Sequence, residues 1–502
     1  MSQNFIGAAS RFGNKVLLAL VPALLLPIAA IAGSPVAPPI DAVDKVERQS
    51  LNTLPAFIDE MVASQLRTSE VAGAVVTVVH DGKIFTDKGY GFKNIEDNVP
   101  VDPDATLFHP GSVSKLFTWV ALAQQIEARK VDLDADVNSY IDFEIPRNGF
   151  APIKVRDLLS HRPGMSDISG FIVYDATQLM PYSEWMKAKV PRRVWEPGVE
   201  TAYSNFGASL AGYIVERMSG EPFDQYAQNH IFKPLGMTST TFSEPLQGAL
   251  GENMATGYEV KDGKFVAKGH EYLALVMPAG SASSTGKDMG RFMLALLNGG
   301  SLDGQRILKP ETVRLLFSNS AANAPRVEGM AHGFLVEREA NPRLVGHAGN
   351  TIDFHSDLVI APDLGFGYYI SMSGGEGSSE ARTVLSKAIT GYMFPQKPTA
   401  RWGGAAETAP MGRYRSNRRD YSKVPNPDYD ILASAAGPNS VEFIIQEEKT
   451  IWERIGPHLY EKVTDVPENG PYERAEFYET DRGARLSFSF QPYTAYHFIA
   501  AD

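Results

Sequence analysis

Ser112-Val113-Ser114-Lys115 sets a hydroxyl and an amine three residues apart, the S-x-x-K spacing. On a helix that spacing puts both side chains on one face. A serine hydroxyl is a weak nucleophile at its own pKa, and an ammonium held against it lowers the cost of alkoxide character. The preceding His109-Pro110-Gly111 should be irregular, because proline lacks an amide donor and glycine permits unusual dihedrals. Lys115 to Ile126 is largely apolar and reads as a buried helix. Ser112 then stands at or just inside a helix N-terminus, where free amides can face a developing oxyanion. The pattern alone also describes a capping serine followed by a surface lysine.

Two more groups of residues decide between these readings. Tyr203-Ser204-Asn205 lies between an approach led by Pro197-Gly198 and a helix over Phe206 to Met218. A phenol beside a lysine ammonium should have a lowered pKa and act as a base near neutrality. Asn205 would orient the lysine and offer its amide to a substrate carbonyl. Gly346-His347-Ala348-Gly349-Asn350 opens a strand after Leu344-Val345. A strand edge at a cleft supplies a backbone N–H for an oxyanion, and glycine allows close approach. His161, in Ser160-His161-Arg162-Pro163-Gly164, reads as a structural histidine on a turn rather than a general base. No H-E-x-x-H and no close ligand cluster is present in the sequence, so no metal and no cofactor is expected. The absence of G-x-S-x-G argues against an α/β-hydrolase.

The elements that must position these residues follow from periodicity. Leu51 to Leu66 has apolar residues at near-helical spacing. Ala72 to Val79 and Lys83 to Tyr90 form a hairpin across Asp81-Gly82. Further helices are expected over Lys287 to Leu297, and strands over His332 to Glu337, Arg343 to Val345, Leu358 to Ile360 and Gly367 to Met372. This is an α+β fold: an antiparallel sheet flanked by helices, with an all-helical lobe. Composition changes near Pro395-Gln396-Lys397-Pro398, and the tail alternates in strand fashion between Pro, Gly and Asp turns. A hydrolase domain over 51–395 and a small all-β, lipocalin-like barrel over 399–502 are expected. All three motifs lie upstream of Pro398, so the barrel is expected to be dispensable for acylation.

Arg11 and Lys15 precede an apolar run from Val16 to Ala32 that ends in Ala30-Ile31-Ala32-Gly33. That is the form of a secretory signal peptide over 1–32, followed by a proline-rich spacer over 33–50. The protein is expected to be secreted or periplasmic, an uncleaved membrane anchor being the alternative. A net charge of −12 argues against nucleic-acid binding, and the absence of cysteine excludes disulfides and thiol catalysis. Nothing in the sequence sets the oligomeric state.

S-x-x-K, Y-x-N and H-x-G in that order are far more specific together than any one of them. With Asp157-Leu158-Leu159-Ser160-His161 and Pro278-Ala279-Gly280, the chain resembles the penicillin-binding-protein-like serine hydrolases. These include class C β-lactamases, D-alanyl-D-alanine carboxypeptidases, D-aminopeptidases and family VIII carboxylesterases. The resemblance implies a cleft holding Ser112, Lys115, Tyr203, Asn205 and His347 as catalytic residues, with His347-Ala348-Gly349 on an edge strand. It implies Ser112, Gly349 and Asn350 at the oxyanion and substrate-binding positions, and acyl transfer through Ser112 with Tyr203 and Lys115 taking its proton. The implied substrates are small esters or D-amino-acid-containing amides and peptides. β-Lactamase or carboxypeptidase activity, or a non-catalytic sensor of wall fragments, are the alternatives. One departure stands out: His347-Ala348 replaces the Lys-Thr of β-lactamases. A histidine charged only at mildly acidic pH favours neutral substrates over carboxylate-bearing β-lactams.

Overall fold

The computed structural model describes residues 46–404, 409–464 and 469–500. The signal segment 1–32 and most of the spacer 33–50 lie outside the described residues. Among the described residues no helix is long and apolar enough to cross a membrane.

The first hairpin shows how local sequence fixes the sheet. Strand Val71–His80 is buried almost throughout, and its side chains divide by parity, as a pleated strand requires. Val76 and Val78 join one core, Val75 and Val79 the other. Asp81 and Gly82 both take positive φ, 48° and 74°, the conformation that lets a two-residue turn follow the strand twist. Lys83–Asn94 returns antiparallel. Phe366–Gly374 pairs with the other edge of Val71–His80, and Phe354–Ala361 and Leu344–Asn350 follow outward in a nine-stranded sheet.

One face of the sheet is covered by the helices Val46–Thr68 and Gly377–Met393, which pack on each other and on Val76, Tyr368 and Ile370. The other face carries helix Gly286–Leu297 and, beyond it, the helical lobe. There Phe117 stacks its edges against Phe232 and Phe292, with ring centres 5.0 and 4.6 Å apart. The fold is the expected helix-flanked antiparallel sheet with a helical lobe.

Eight strands from Gly412–Ser416 to Tyr496–Ala500 close into a barrel, the first pairing with the last. Alternate residues point inward, and Tyr414, Phe443, Trp452, Tyr460, Phe477 and Phe488 fill the interior. An eight-stranded barrel is just wide enough to be filled in this way. Its lumen is a packed core, so this domain acts through its outer surface and its turns.

Candidate active site

Gly111–Ser114 forms a short 3-10 turn that runs straight into helix Lys115–Glu127. The tight turn brings Lys115 Nζ to 2.9 Å from Ser112 Oγ. Lys115 also donates to the Ala279 carbonyl at 2.6 Å, and Thr118 donates to the Pro278 carbonyl at 2.6 Å. Pro278-Ala279-Gly280 thus acts as the rest on which the helix and its lysine are seated. Lys115 is fully buried while Ser112 keeps partial exposure, so the surface-lysine reading of the motif is excluded.

Ser204 caps helix Asn205–Ser219 by accepting from the Gly207 amide at 2.9 Å, the role its residue type favours. Capping fixes the residue before it, and the Tyr203 ring comes under the Lys115 amine, 4.9 Å from Nζ to the ring centre. His161 accepts from the Ser204 amide through Nδ1 at 3.1 Å and stacks on Tyr203 with centres 4.3 Å apart. Burial, with Lys115 nearby, drives the His161 pKa far down. It is a neutral support for the tyrosine loop, the structural role expected of it. Asn205 lines the cavity, but among the described residues it makes no hydrogen bond to Lys115. The expected orienting role for Asn205 is taken by the Ala279 carbonyl.

His347 lies on strand Leu344–Asn350, which is not an edge strand in the order of the sheet. Its pairing to Leu335–Arg338 stops at Gly346, whereas pairing to Phe354–Ala361 continues to Asn350. The edge is therefore free only from His347 onward, where the cleft needs it. A Cβ on Gly349 would collide with the Pro110 carbonyl and lie 2.9 Å from the Ser112 amide nitrogen. Gly111, at φ 54°, would place one 2.9 Å from the Asn350 nitrogen. Glycine at both positions lets the strand lie against the nucleophile turn, so the amides of Ser112 and Asn350 meet at one junction.

The barrel supplies the remaining wall. Arg418, in the turn after Gly412–Ser416, lies over the Tyr203 ring at 4.7 Å and pairs with Asp167 at 3.2 Å. The Tyr493 carbonyl accepts from the Tyr203 amide at 3.1 Å. Glu200, three residues before Tyr203, binds Arg485 at 3.1 Å and His497 at 2.6 Å, and Asn417 donates to the Thr201 carbonyl at 3.1 Å. Ser112, Tyr203, Asn205, His347, Arg418 and Tyr493 line one cavity of about 150 Å³, with apolar walls from Phe171, Leu273 and Val276. A larger one of about 550 Å³ adjoins it between sheet and barrel, sharing Arg382, Lys387, Glu473 and Tyr493. A barrel dispensable for acylation, expected from motif positions, does not fit a site with these residues in its wall.

Burial also reverses the expected order of basicity. Burial, then the nearby Arg418 charge, pushes Lys115 well below the ordinary lysine value. Burial pushes Tyr203 upward, only partly offset by its hydrogen bond to Ser112 and the Arg418 charge. Both shifts favour a neutral amine over a phenolate as the group able to take a proton. His347 donates from Nδ1 to the Ala348 carbonyl at 2.6 Å, leaving Nε2 to face the Tyr203 hydroxyl at 3.5 Å. Burial, with Lys115 adding to it, holds His347 at about 3, so it gains no charge at mildly acidic pH. Cations beside the oxyanion strand come instead from Arg382, which donates to Asn350 Oδ1 at 3.3 Å, and from Arg418.

Arg418, Asp167, Tyr493 and Arg382 were not singled out by motif spacing. The one sequence signal near them is the run of arginines at 413, 415, 418 and 419 in an acidic chain. His109, Glu244 and His270, far apart in sequence, come close together in space.

A family model described as Beta-lactamase matches residues 57–389, and the chain belongs to that family. Protein flp of Staphylococcus aureus (strain N315) is 24% identical over 318 residues, 62% of this chain and 62% of flp. The chain thus matches less than two thirds of that relative's length. Among solved structures, SurE superposes with a TM-score of 0.63 at 19% identity, over 90% of this chain and 99% of SurE. D-amino acid amidase from Ochrobactrum anthropi SV3, complexed with L-phenylalanine amide, gives 0.55 at 24%, over 67% and 95%. These are likenesses of fold, and the first of them extends through the barrel.

Proposed function

We propose that the protein is a secreted serine hydrolase that forms an acyl-enzyme on Ser112, with amides and short peptides of D-amino acids as substrates and small esters as a second class. The observation that carries this is the contact of Ser112, which lines a small cavity, with a buried, pKa-lowered Lys115. Ser112 Oγ attacks the substrate carbonyl as its proton passes to the neutral Lys115 amine. The Ser112 and Asn350 amides receive the oxyanion. Lys115 returns the proton to the leaving amine through the Tyr203 hydroxyl. Water then attacks the ester on Ser112, its proton following the same route, and Ser112 Oγ departs protonated.

A cavity of about 150 Å³ suits a single residue or short acyl group. Arg382 and Arg418 offer a carboxylate the cation that His347 withholds. Two structural neighbours, SurE solved with D-Leu and an amidase named for D-amino acids, support the choice of class. The basic and apolar segment ending at Ala32 supports export, testable as loss of that segment from protein recovered outside the cytoplasm.

A fluorophosphonate probe should add to Ser112, seen by intact mass and peptide mapping. D-amino-acid amides should then turn over faster than their L forms. A chain that never forms the adduct would be a binding protein rather than an enzyme. An adduct with turnover of esters alone would move the substrate class.

A further inference from the structure

His109, the third residue before Ser112, is fully buried, and its Nε2 has no hydrogen-bond partner among the described residues. Glu244 Oε1 and His270 Nε2 are buried and unpartnered in the same way, and one ligand atom from each of the three residues lies within 4.8 Å of the other two. They do not satisfy each other. The His109–Glu244 separation is 4.0 Å, too long for a hydrogen bond. Buried polar atoms are rarely left unpaired, and three aimed at one point call for a common partner.

Their surroundings orient them for a cation. His109 Nδ1 lies 3.3 Å from both the Ala282 carbonyl and the Ser283 hydroxyl; the tautomer that donates from Nδ1 to the carbonyl leaves the Nε2 lone pair free for a cation. The Glu271 carbonyl also faces this ring, but Nε2 forms no hydrogen bond with it. The second Glu244 oxygen accepts from the Leu273 amide at 2.7 Å, leaving Oε1 free. The edge of His109 packs on Phe354, with ring centres 5.3 Å apart. A backbone-anchored imidazole, a second imidazole and an amide-anchored carboxylate are the support that metal ligands receive.

We propose that His109 Nε2, Glu244 Oε1 and His270 Nε2 bind a divalent transition-metal ion, with zinc the best match to two nitrogens and one carboxylate. Zinc sites of this donor set are tetrahedral, with ligand atoms roughly 3.3 Å apart, so the three side chains close inward by roughly 1 Å on binding. Three protein ligands leave one position for water. The ion joins three segments: the entry to the nucleophile turn, the turn at Glu244, and the stretch leading to the Ala279 carbonyl that seats Lys115. Its role is to fasten the support of Ser112 and Lys115, and no step of acyl transfer passes through it.

The test uses the full chain, stripped with chelator and titrated with Zn2+ alone. About one ion per chain should bind with a dissociation constant below about 1 µM, and Tm should rise by about 3 °C or more at saturation. Co2+ in its place should give the visible absorption bands of a four-coordinate site. His270→Gln and Glu244→Gln, at the two less enclosed ligands, should weaken binding at least about 10-fold and abolish the Co2+ bands, with Tm of the metal-free chain kept within a few degrees. Absence of stoichiometric Zn2+ binding would overturn the proposal. So would binding that either variant leaves unchanged, which would place the ion elsewhere.

Discussion

The two domains contribute to one cavity in opposite ways. The lobe around Ser112 presents its chemistry in short, spaced motifs: a 3-10 turn running into a helix, a serine-capped helix, a glycine-bearing strand end. The barrel has no such motif. It brings Arg418 and the Tyr493 carbonyl to Tyr203 from turns between strands whose own side chains are spent filling its lumen. The difference separates making a nucleophile from tuning it. A nucleophile and its proton acceptor must be held within bonding distance, which local spacing does well. A cation that shifts their pKa values acts through space and can arrive from any part of the chain.

The sharpest division of labour appears when the lobe's own pair is removed. Ser112→Ala and Lys115→Ala should each lower kcat/KM by about 10⁴-fold or more, because nucleophile and base act as a unit. Tm should stay close to that of the parent. Lys115→Ala with near-normal kcat would refute the assignment of base. Tyr203→Phe should cost about 100-fold, the range for losing a proton-transfer group. A loss in kcat with KM unchanged would fit the proton relay, whereas a pure KM effect would make Tyr203 a binding residue.

The same division explains what could be read in advance. Ser112, Lys115, Tyr203 and His347 were legible because each belongs to a pattern within five residues, and the sheet and lobe were legible from parity and helical spacing. The ordering of pKa values was not. A tyrosine near a lysine suggests a lowered phenol pKa, but burial acts on both groups and disfavours whichever form is charged. Complete burial of Lys115 is a property of the packed lobe, not of the S-x-x-K spacing. His347 looked like a mild-acid switch for the same reason, and desolvation holds it neutral. Arg418 and Asp167 meet only after the barrel closes. His109, Glu244 and His270 are likewise distant in sequence and assembled by the fold.

Arg418→Met tests the barrel's part directly, keeping the apolar stem but removing the charge. Without that positive neighbour the Lys115 pKa should rise toward the ordinary lysine value, since Arg418 is among the causes that depress it. A higher pKa leaves less free amine at neutrality, so the acid limb of the kcat profile should move to higher pH. The expected loss is about 10-fold at pH 7, shrinking as pH is raised toward 9. A uniform loss at every pH would assign Arg418 to substrate binding. An unmoved profile with full activity would confine the barrel to a structural role.

The smallest effect concerns how firmly the barrel is held. Burial raises the Glu200 carboxyl, but hydrogen bonds and charge from His497 and Arg485 outweigh it and hold it at about 2. Glu473, paired with Lys387 and Lys462, is likewise held at about 2 against its own burial. Both bind across the domain boundary. A carboxyl with a lowered folded pKa contributes stability that is full above its unfolded value, near 4.5, and is lost as pH falls toward 2. For Glu200 alone the shift corresponds to on the order of 3 kcal/mol. Glu200→Gln should therefore lower Tm at pH 7 and flatten the fall of Tm between pH 4.5 and 3, with Glu473 keeping the remaining slope. Its kcat at pH 7.5 should stay within about 2-fold of the parent, because Asn417, Arg419 and Tyr493 still tie the barrel to the tyrosine loop and to Asp167 through backbone contacts. A large drop in kcat with Tm unchanged would mean that Glu200 positions Tyr203 itself, and the line between tuning and holding would then run through the loop rather than between the domains.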